Sequence, residues 1–307
     1  DYTNTGAEGA DGAVLDHAST VSLNALAGTP NGDGSYTIES YAPVPDGRKA
    51  PGIAASGTGI VGIEGHPAVN VGTDEEPQIE RIPFTNTTEF FSIDEVDGTP
   101  TERRVVTELE SCLGCHGQLS IHGNNRTDNL ELCVACHNPR NTDRQVREIA
   151  QNPPTDGKDE ESIDFKTMIH GIHAAAMREN PLQIVGFRGF STYVYDEESV
   201  HYPGNLANCT ACHTDEGYTL PLADTVLGTT IDTGDVHIDP SDDTVMTPAT
   251  AVCSSCHDDK VARSHMTSNG GSLATTQEDI DNEDVVEECS VCHREGKGAA
   301  VSTVHGL

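Results

Sequence analysis

The chain has 307 residues, with 50 acidic against 17 basic side chains, a formal net charge of −33, no Trp and 4% aromatic residues. Such a field disfavours nucleic acid and anionic membrane surfaces as partners, and no apolar run approaches the ~20 residues that span a bilayer. The charge is −12 over residues 1–107 and −21 over 108–307, so it is no acidic tail.

Residues 1–107 contain no Cys and read as a β-domain rich in turns. Asn31-Gly32-Asp33-Gly34 precedes the β-formers Tyr36, Ile38 and Tyr41, and short apolar runs follow at residues 60–63, 69–71 and 89–93. Short strands separated by Gly, Pro and Asp predict a small barrel or sandwich. Gly57-Thr58-Gly59-Ile60-Val61-Gly62 matches a dinucleotide fingerprint by letter, but residues 51–57 make a poor preceding strand and His66-Pro67 ends any helix. A turn and strand are expected there instead. Asn86-Thr87-Thr88 and Asn125-Arg126-Thr127 fit the glycosylation sequon, a short pattern that chance supplies readily. The acidic turns at residues 94–98 and 239–243 offer oxygen ligands for Ca²⁺, yet neither completes a calcium loop.

All ten cysteines fall in residues 108–307, in five copies of Cys-x-x-Cys-His. The copies are Cys112, Cys115 and His116; Cys133, Cys136 and His137; Cys209, Cys212 and His213; Cys253, Cys256 and His257; and Cys289, Cys292 and His293. Two thiols at this spacing form thioether bonds to the two vinyl groups of one porphyrin, and the adjoining His reaches the iron. Zinc sites use paired Cys-x-x-Cys units, but five copies each followed by His, with no Cys left over, point to five covalently bound haem c groups. Sparse aromatic and apolar residues agree with a core that porphyrins help to build.

The haem part reads as loops and short helices. Its best helix is residues 163–178, capped by Ser162 or Asp164 and stopped by Asn180-Pro181, with Met168, Ile169, Ile172, Ala175 and Ala176 on one face. Nine histidines remain for distal ligation, and five in the haem part are the candidates: His122, His265 and His305 shortly after a motif, and His170 and His173 on the helix. His170 and His173, three apart on a helix, are placed to serve two neighbouring irons. His17, His66, His201 and His237 read as exposed loop histidines.

Several segments together resemble the OmcA/MtrC family of outer-surface multihaem cytochromes. They are Cys112-Leu-Gly-Cys-His116 running through His122 to Arg126, Leu132-Cys-Val-Ala-Cys-His-Asn-Pro139, Lys166-Thr-Met-Ile-His170-Gly-Ile-His173, Tyr202-Pro-Gly-Asn-Leu before Cys209, and Ser264-His265-Met266. The resemblance implies a split β-barrel over residues 1–107 and a pentahaem domain over 108–307. It also implies bis-His haems whose distal ligands fall on the same five histidines. Longer relatives repeat this pair of domains and many carry a lipidated N-terminal Cys; here there is one pair and no such Cys. Because c-type haem is attached beyond the cytoplasmic membrane, loss of a leader before Asp1 is expected.

The function implied is extracellular or cell-surface electron transfer, hopping through five haems towards minerals, electrodes, soluble shuttles or other cytochromes, with no catalytic residues. End-to-end assembly of copies into a haem-wired filament is a further arrangement the sequence allows. The alternative is a multihaem reductase with one open iron.

Overall fold

The computed structural model describes residues 7–8, 14–15, 23–40, 57–93, 97–214, 217–235 and 242–306. Tyr41, residues 51–56, His17, His237 and most of both acidic turns lie outside the described residues. Among the described residues, no group of three or more His, Cys, Asp or Glu is gathered to hold a bare metal ion, and no helix is long and apolar enough to cross a membrane.

The strands pair two at a time. Thr29–Pro30 and Tyr36–Thr37 form the hairpin expected around Asn31-Gly32-Asp33-Gly34, with Gly32 and Gly34 at positive φ. Thr58–Ile63 runs antiparallel to Thr87–Ser92, and Ala68–Asn70 to Ile79–Arg81. The Gly-x-Gly-x-x-Gly letters therefore lie at the start of and within a strand. There Gly59 faces Phe91, and a Cβ at Gly59 would lie 2.3 Å from the Phe91 ring. The barrel or sandwich expected for residues 1–107 does not close among the described residues. Each ladder keeps two free edges, and Val61, Ile63, Val69 and Ile79 stay exposed; closure needs further paired strands.

These ladders dock on the cysteine-rich part through polar contacts. Asn86 is buried, and its Oδ1 accepts the Thr127 N–H at 2.5 Å, which places the first sequon in an interface rather than at the surface. Asn129 Nδ2 donates to the Asn86 carbonyl, and Arg126 pairs with Glu64. The strands Ser120–Ile121 and Arg126–Thr127 form a hairpin whose tip holds three successive left-handed residues, His122, Gly123 and Asn124.

Nine short helices follow among the described residues: α1 (Leu109–His116), α2 (Leu130–Cys136), α3 (Arg144–Arg147), α4 (Phe165–His173), α5 (Pro248–Ser254), α6 (Lys260–Ser268), α7 (Gln277–Asp281), α8 (Ser290–His293) and α9 (Val301–His305). Side-chain oxygens satisfy the orphan amides at several starts. Asn129 caps α2, Asp164 caps α4, and Asp259 caps α6 by accepting from Val261 and Ala262. Helix α4 is shorter than expected. It ends at His173 in a series of turns over residues 174–177, after which Asp258 accepts the amides of Glu179 and Asn180 at 2.9 Å each.

Buried side chains are aliphatic, such as Val146, Leu182 and Met266, or polar, and no Phe or Tyr is among them in the described residues. Thr229, Thr230, Thr233 and Thr250 are buried, and Asp143 pairs with buried Arg147 at 2.9 Å while accepting the Glu161 and Val185 amides. Arg147 also reaches Asp156 and the Gln183 carbonyl. Buried charges persist only when paired and hydrogen-bonded in this way.

Candidate multihaem site

Each Cys-x-x-Cys-His motif closes a helical turn. The His N–H donates to the carbonyl of the first Cys at 2.9 Å in the second, third, fourth and fifth motifs, and the first motif lies inside α1. None of the ten thiols is in a disulfide. Burial pushes the Cys133 thiol up to about 11 and the Cys253 thiol up to about 12, with neighbouring thiols adding to both.

Every motif histidine faces one further histidine, and the facing partners are the five named from sequence. Ring centroids are 6.0 Å apart for His116 and His173, 6.1 Å for His137 and His122, 5.8 Å for His213 and His170, 6.1 Å for His257 and His305, and 6.0 Å for His293 and His265. No histidine occurs in two pairs. Two imidazoles on opposite sides of one metal ion, with nitrogen–metal bonds of about 2 Å, place their centroids about 6 Å apart.

All ten of these rings line one continuous cavity of about 2350 Å³, together with nine of the ten motif cysteines. A pocket for one small molecule is typically about 300–1,000 Å³, so this cavity has room for several large groups.

Residues 103–306 match the family model described as outer membrane cytochrome MtrC/MtrF-like, domains II/IV. The chain belongs to this family of outer membrane cytochromes. No curated protein sequence matches it. Among solved structures it is similar to the outer membrane decahaem cytochrome OmcA, at 20% identity and a TM-score of 0.43 over 90% of this chain and 33% of that one. It is similar also to MtrC from Shewanella baltica OS185, at 18% identity and a TM-score of 0.41 over 77% of this chain and 34% of that one. The chain thus spans about a third of the length of either cytochrome.

The donor set of this MtrC/MtrF-like chain fits haem. Between two facing imidazoles a planar macrocycle would supply the remaining ligands of a six-coordinate metal, and the nearby thiols would anchor it. The imidazoles are also prepared for iron. The Nδ1 atoms of His137, His170, His173, His213, His293 and His305 lie 2.6–3.1 Å from the backbone carbonyls of Ile163, Lys166, Ile169, Val106, Ala299 and Val301. A proton on Nδ1 in that bond leaves the Nε2 lone pair free for the metal and fixes the ring plane. Every facing pair includes at least one such ring. Burial lowers the pKa of His170 to about 4, with the His213 charge acting the same way. Burial does the same at His122, to about 4, helped by Arg126. Both are therefore neutral, ligand-competent imidazoles at neutral pH.

Two other histidines of the cytochrome are placed differently. His66 is half-buried rather than exposed, with Nδ1 3.2 Å from the Pro67 carbonyl, and His201 is exposed at the cavity wall; neither faces another histidine among the described residues. Three features have no local signal in the sequence. Glu287 accepts the Ala249 and Thr250 amides at 2.7 Å each, capping the helix that carries Cys253 from a distant segment. Tyr202 stands edge-on to His173, with ring centroids 5.8 Å apart. Thr107 Oγ1 donates to the Cys212 carbonyl at 2.6 Å, tying the segment before α1 to the third motif.

Proposed function

We propose that the chain binds five haem c groups and passes single electrons between them, as an extracellular or cell-surface conduit to other cytochromes or external acceptors. The observation that carries this reading is the one-to-one facing of five motif histidines with His122, His170, His173, His265 and His305. Bound haem supplies a one-electron couple whose two axial ligands stay in place. Cys112, Cys115, Cys133, Cys136, Cys209, Cys212, Cys253, Cys256, Cys289 and Cys292 anchor the haems. His116, His137, His213, His257 and His293 are the proximal ligands. In this reading residues 108–307 form the haem unit and residues 1–107 the β-unit docked on it.

The chain's own residues also support an order. His122, which follows the first motif, faces His137 of the second. His170 and His173 on α4 serve the third and first. Helix α4, whose His170 faces the third motif, packs on α5, which carries Cys253, linking the third motif to the fourth. His265 follows the fourth motif and faces the fifth, while His305 follows the fifth and faces the fourth. The path is then second, first, third, fourth, fifth. Each centre having two imidazoles weighs against a reductase built on a permanently open iron. The homopolymer expected as one arrangement has no supporting geometry among the described residues and forms no part of this reading.

Pyridine haemochrome assay and intact mass on the purified protein test it. Five haems per chain, all low-spin by electron paramagnetic resonance, are expected; fewer than five, or zinc in their place, would overturn it.

A further inference from the structure

The five facing imidazoles are not held alike. His170 and His173 stand on α4, His265 on α6 and His305 on α9. His122 instead stands at a hairpin tip, where His122, Gly123 and Asn124 have φ of 52°, 71° and 67°. Left-handed backbone at non-glycine residues is unfavourable and persists only where surrounding contacts impose it. Its partner His137 is anchored by Nδ1 at 2.9 Å from the Ile163 carbonyl, whereas the His122 ring has no such backbone bond among the described residues.

The tip is held from outside by Arg81, whose carbonyl accepts from Asn124 Nδ2 at 2.8 Å and whose Nη1 donates to the Gly123 carbonyl at 3.4 Å. A second guanidinium arrives at the same spot. A Cβ on Gly123 would lie 2.9 Å from Arg81 Nη1 and 2.8 Å from Arg188 Nη1. Two cations brought together repel, and among the described residues neither meets a carboxylate, whereas nearby Arg126 is paired with Glu64. Arg188 lines the same cavity as His122. In a chain of net charge −33, two exposed guanidiniums converging on the residue next to His122 offer a place for an anion.

We propose that the haem of the second motif is an exchangeable site, at which His122 swings off the iron and a small anion binds in its place, held by Arg188 and Arg81. The inference rests on the five-haem reading. In the exchange the iron–Nε2 bond to His122 breaks and an iron–anion bond forms, with no electron transferred, while His137 stays bound. The hairpin tip supplies the movement, since relaxing its left-handed turn carries His122 away. This site also ends the path, so a ligand held there stands where electrons leave or enter.

The test titrates the intact five-haem protein with azide when oxidised and with carbon monoxide when reduced, following absorbance and electron paramagnetic resonance. One azide and one carbon monoxide per chain are expected. His122→Ala should render one haem high-spin and tighten azide binding, because no ligand need be displaced. Arg188→Gln should weaken azide about 10- to 100-fold, the range for a hydrogen bond to a charged group, with carbon monoxide binding retained, and Arg188→Lys should recover part of the loss. Five low-spin haems that take neither probe would overturn the proposal. So would binding that is indifferent to His122→Ala, or azide affinity unmoved in Arg188→Gln, the result if a haem carboxylate already occupies the guanidinium. A haem count below five would instead sink the underlying reading.

Discussion

His170 and His173, three residues apart on α4, face histidines of two different motifs, His213 and His116. Positions three apart on a helix are separated by about 4.5 Å of rise and about 60° of rotation, so one rigid element sets the spacing of two centres. Each Nδ1 lies close to the carbonyl four residues back, at Lys166 and Ile169. His170→Ala is expected to turn the third-motif haem high-spin, His173→Ala the first-motif haem, and the double variant both, with five haems still attached. Electron paramagnetic resonance of the ferric protein reads this directly.

Glu287 holds the start of α5 from a separate segment of chain. Besides the two amides, its carboxylate accepts from the Thr247 and Thr250 hydroxyls at 2.6 and 2.7 Å. Glu287→Ala leaves those donors without their acceptor and should cost about 1–3 kcal/mol, measured by thermal denaturation of the haem-loaded protein. Glu287→Gln keeps one acceptor oxygen and should cost less.

Asp258 follows the fourth motif and clasps residues 178–180. Burial raises its pKa, but the Glu179 amide, the Asn180 side chain and amide, and Arg178 more than offset this and hold the carboxyl below its ordinary 3.8. A folded pKa below the unfolded one gives a stability contribution that is complete well above pH 3.8 and lost as pH falls through the folded value. Asp258→Asn should therefore be less stable than the parent by about 2 kcal/mol near neutral pH. The gap should narrow below pH 3.8; a gap that widens in acid would refute this account.

Gly59 and Gly62 allow two close approaches. A Cβ at Gly62 would lie 2.7 Å from Leu132 Cδ1 of α2, the end of a side chain that can move, whereas one at Gly59 would meet the Phe91 ring at 2.3 Å. Overpacking of this kind costs about 1–3 kcal/mol. Gly59→Ala is expected at the upper end of that range and Gly62→Ala at the lower, by denaturant unfolding.

The five motifs were legible because Cys-x-x-Cys-His is a fixed local spacing. The five histidines that face them were among the candidates named by position, but which faces which was not legible. His265 and His305 cross over to each other's neighbouring motif, a choice made by how α6 and α9 pack. The hairpin at residues 29–37 followed from its Asn-Gly-Asp-Gly turn. The end of α4 did not: the apolar spacing runs on through Ala175 and Ala176, but the helix gives way to turns after His173. Arg188 gave no signal either, because its meeting with Arg81 depends on a loop tip that only tertiary contacts hold left-handed.

The crossing of His265 and His305 closes the last two pairs through one another: each motif histidine faces a ring from the segment that follows the other's motif. A chain cut between the fifth motif and α9 would keep the His265–His293 pair and lose the partner of His257. In the proposed five-haem reading the defect then shows at the fourth centre, upstream of the damage.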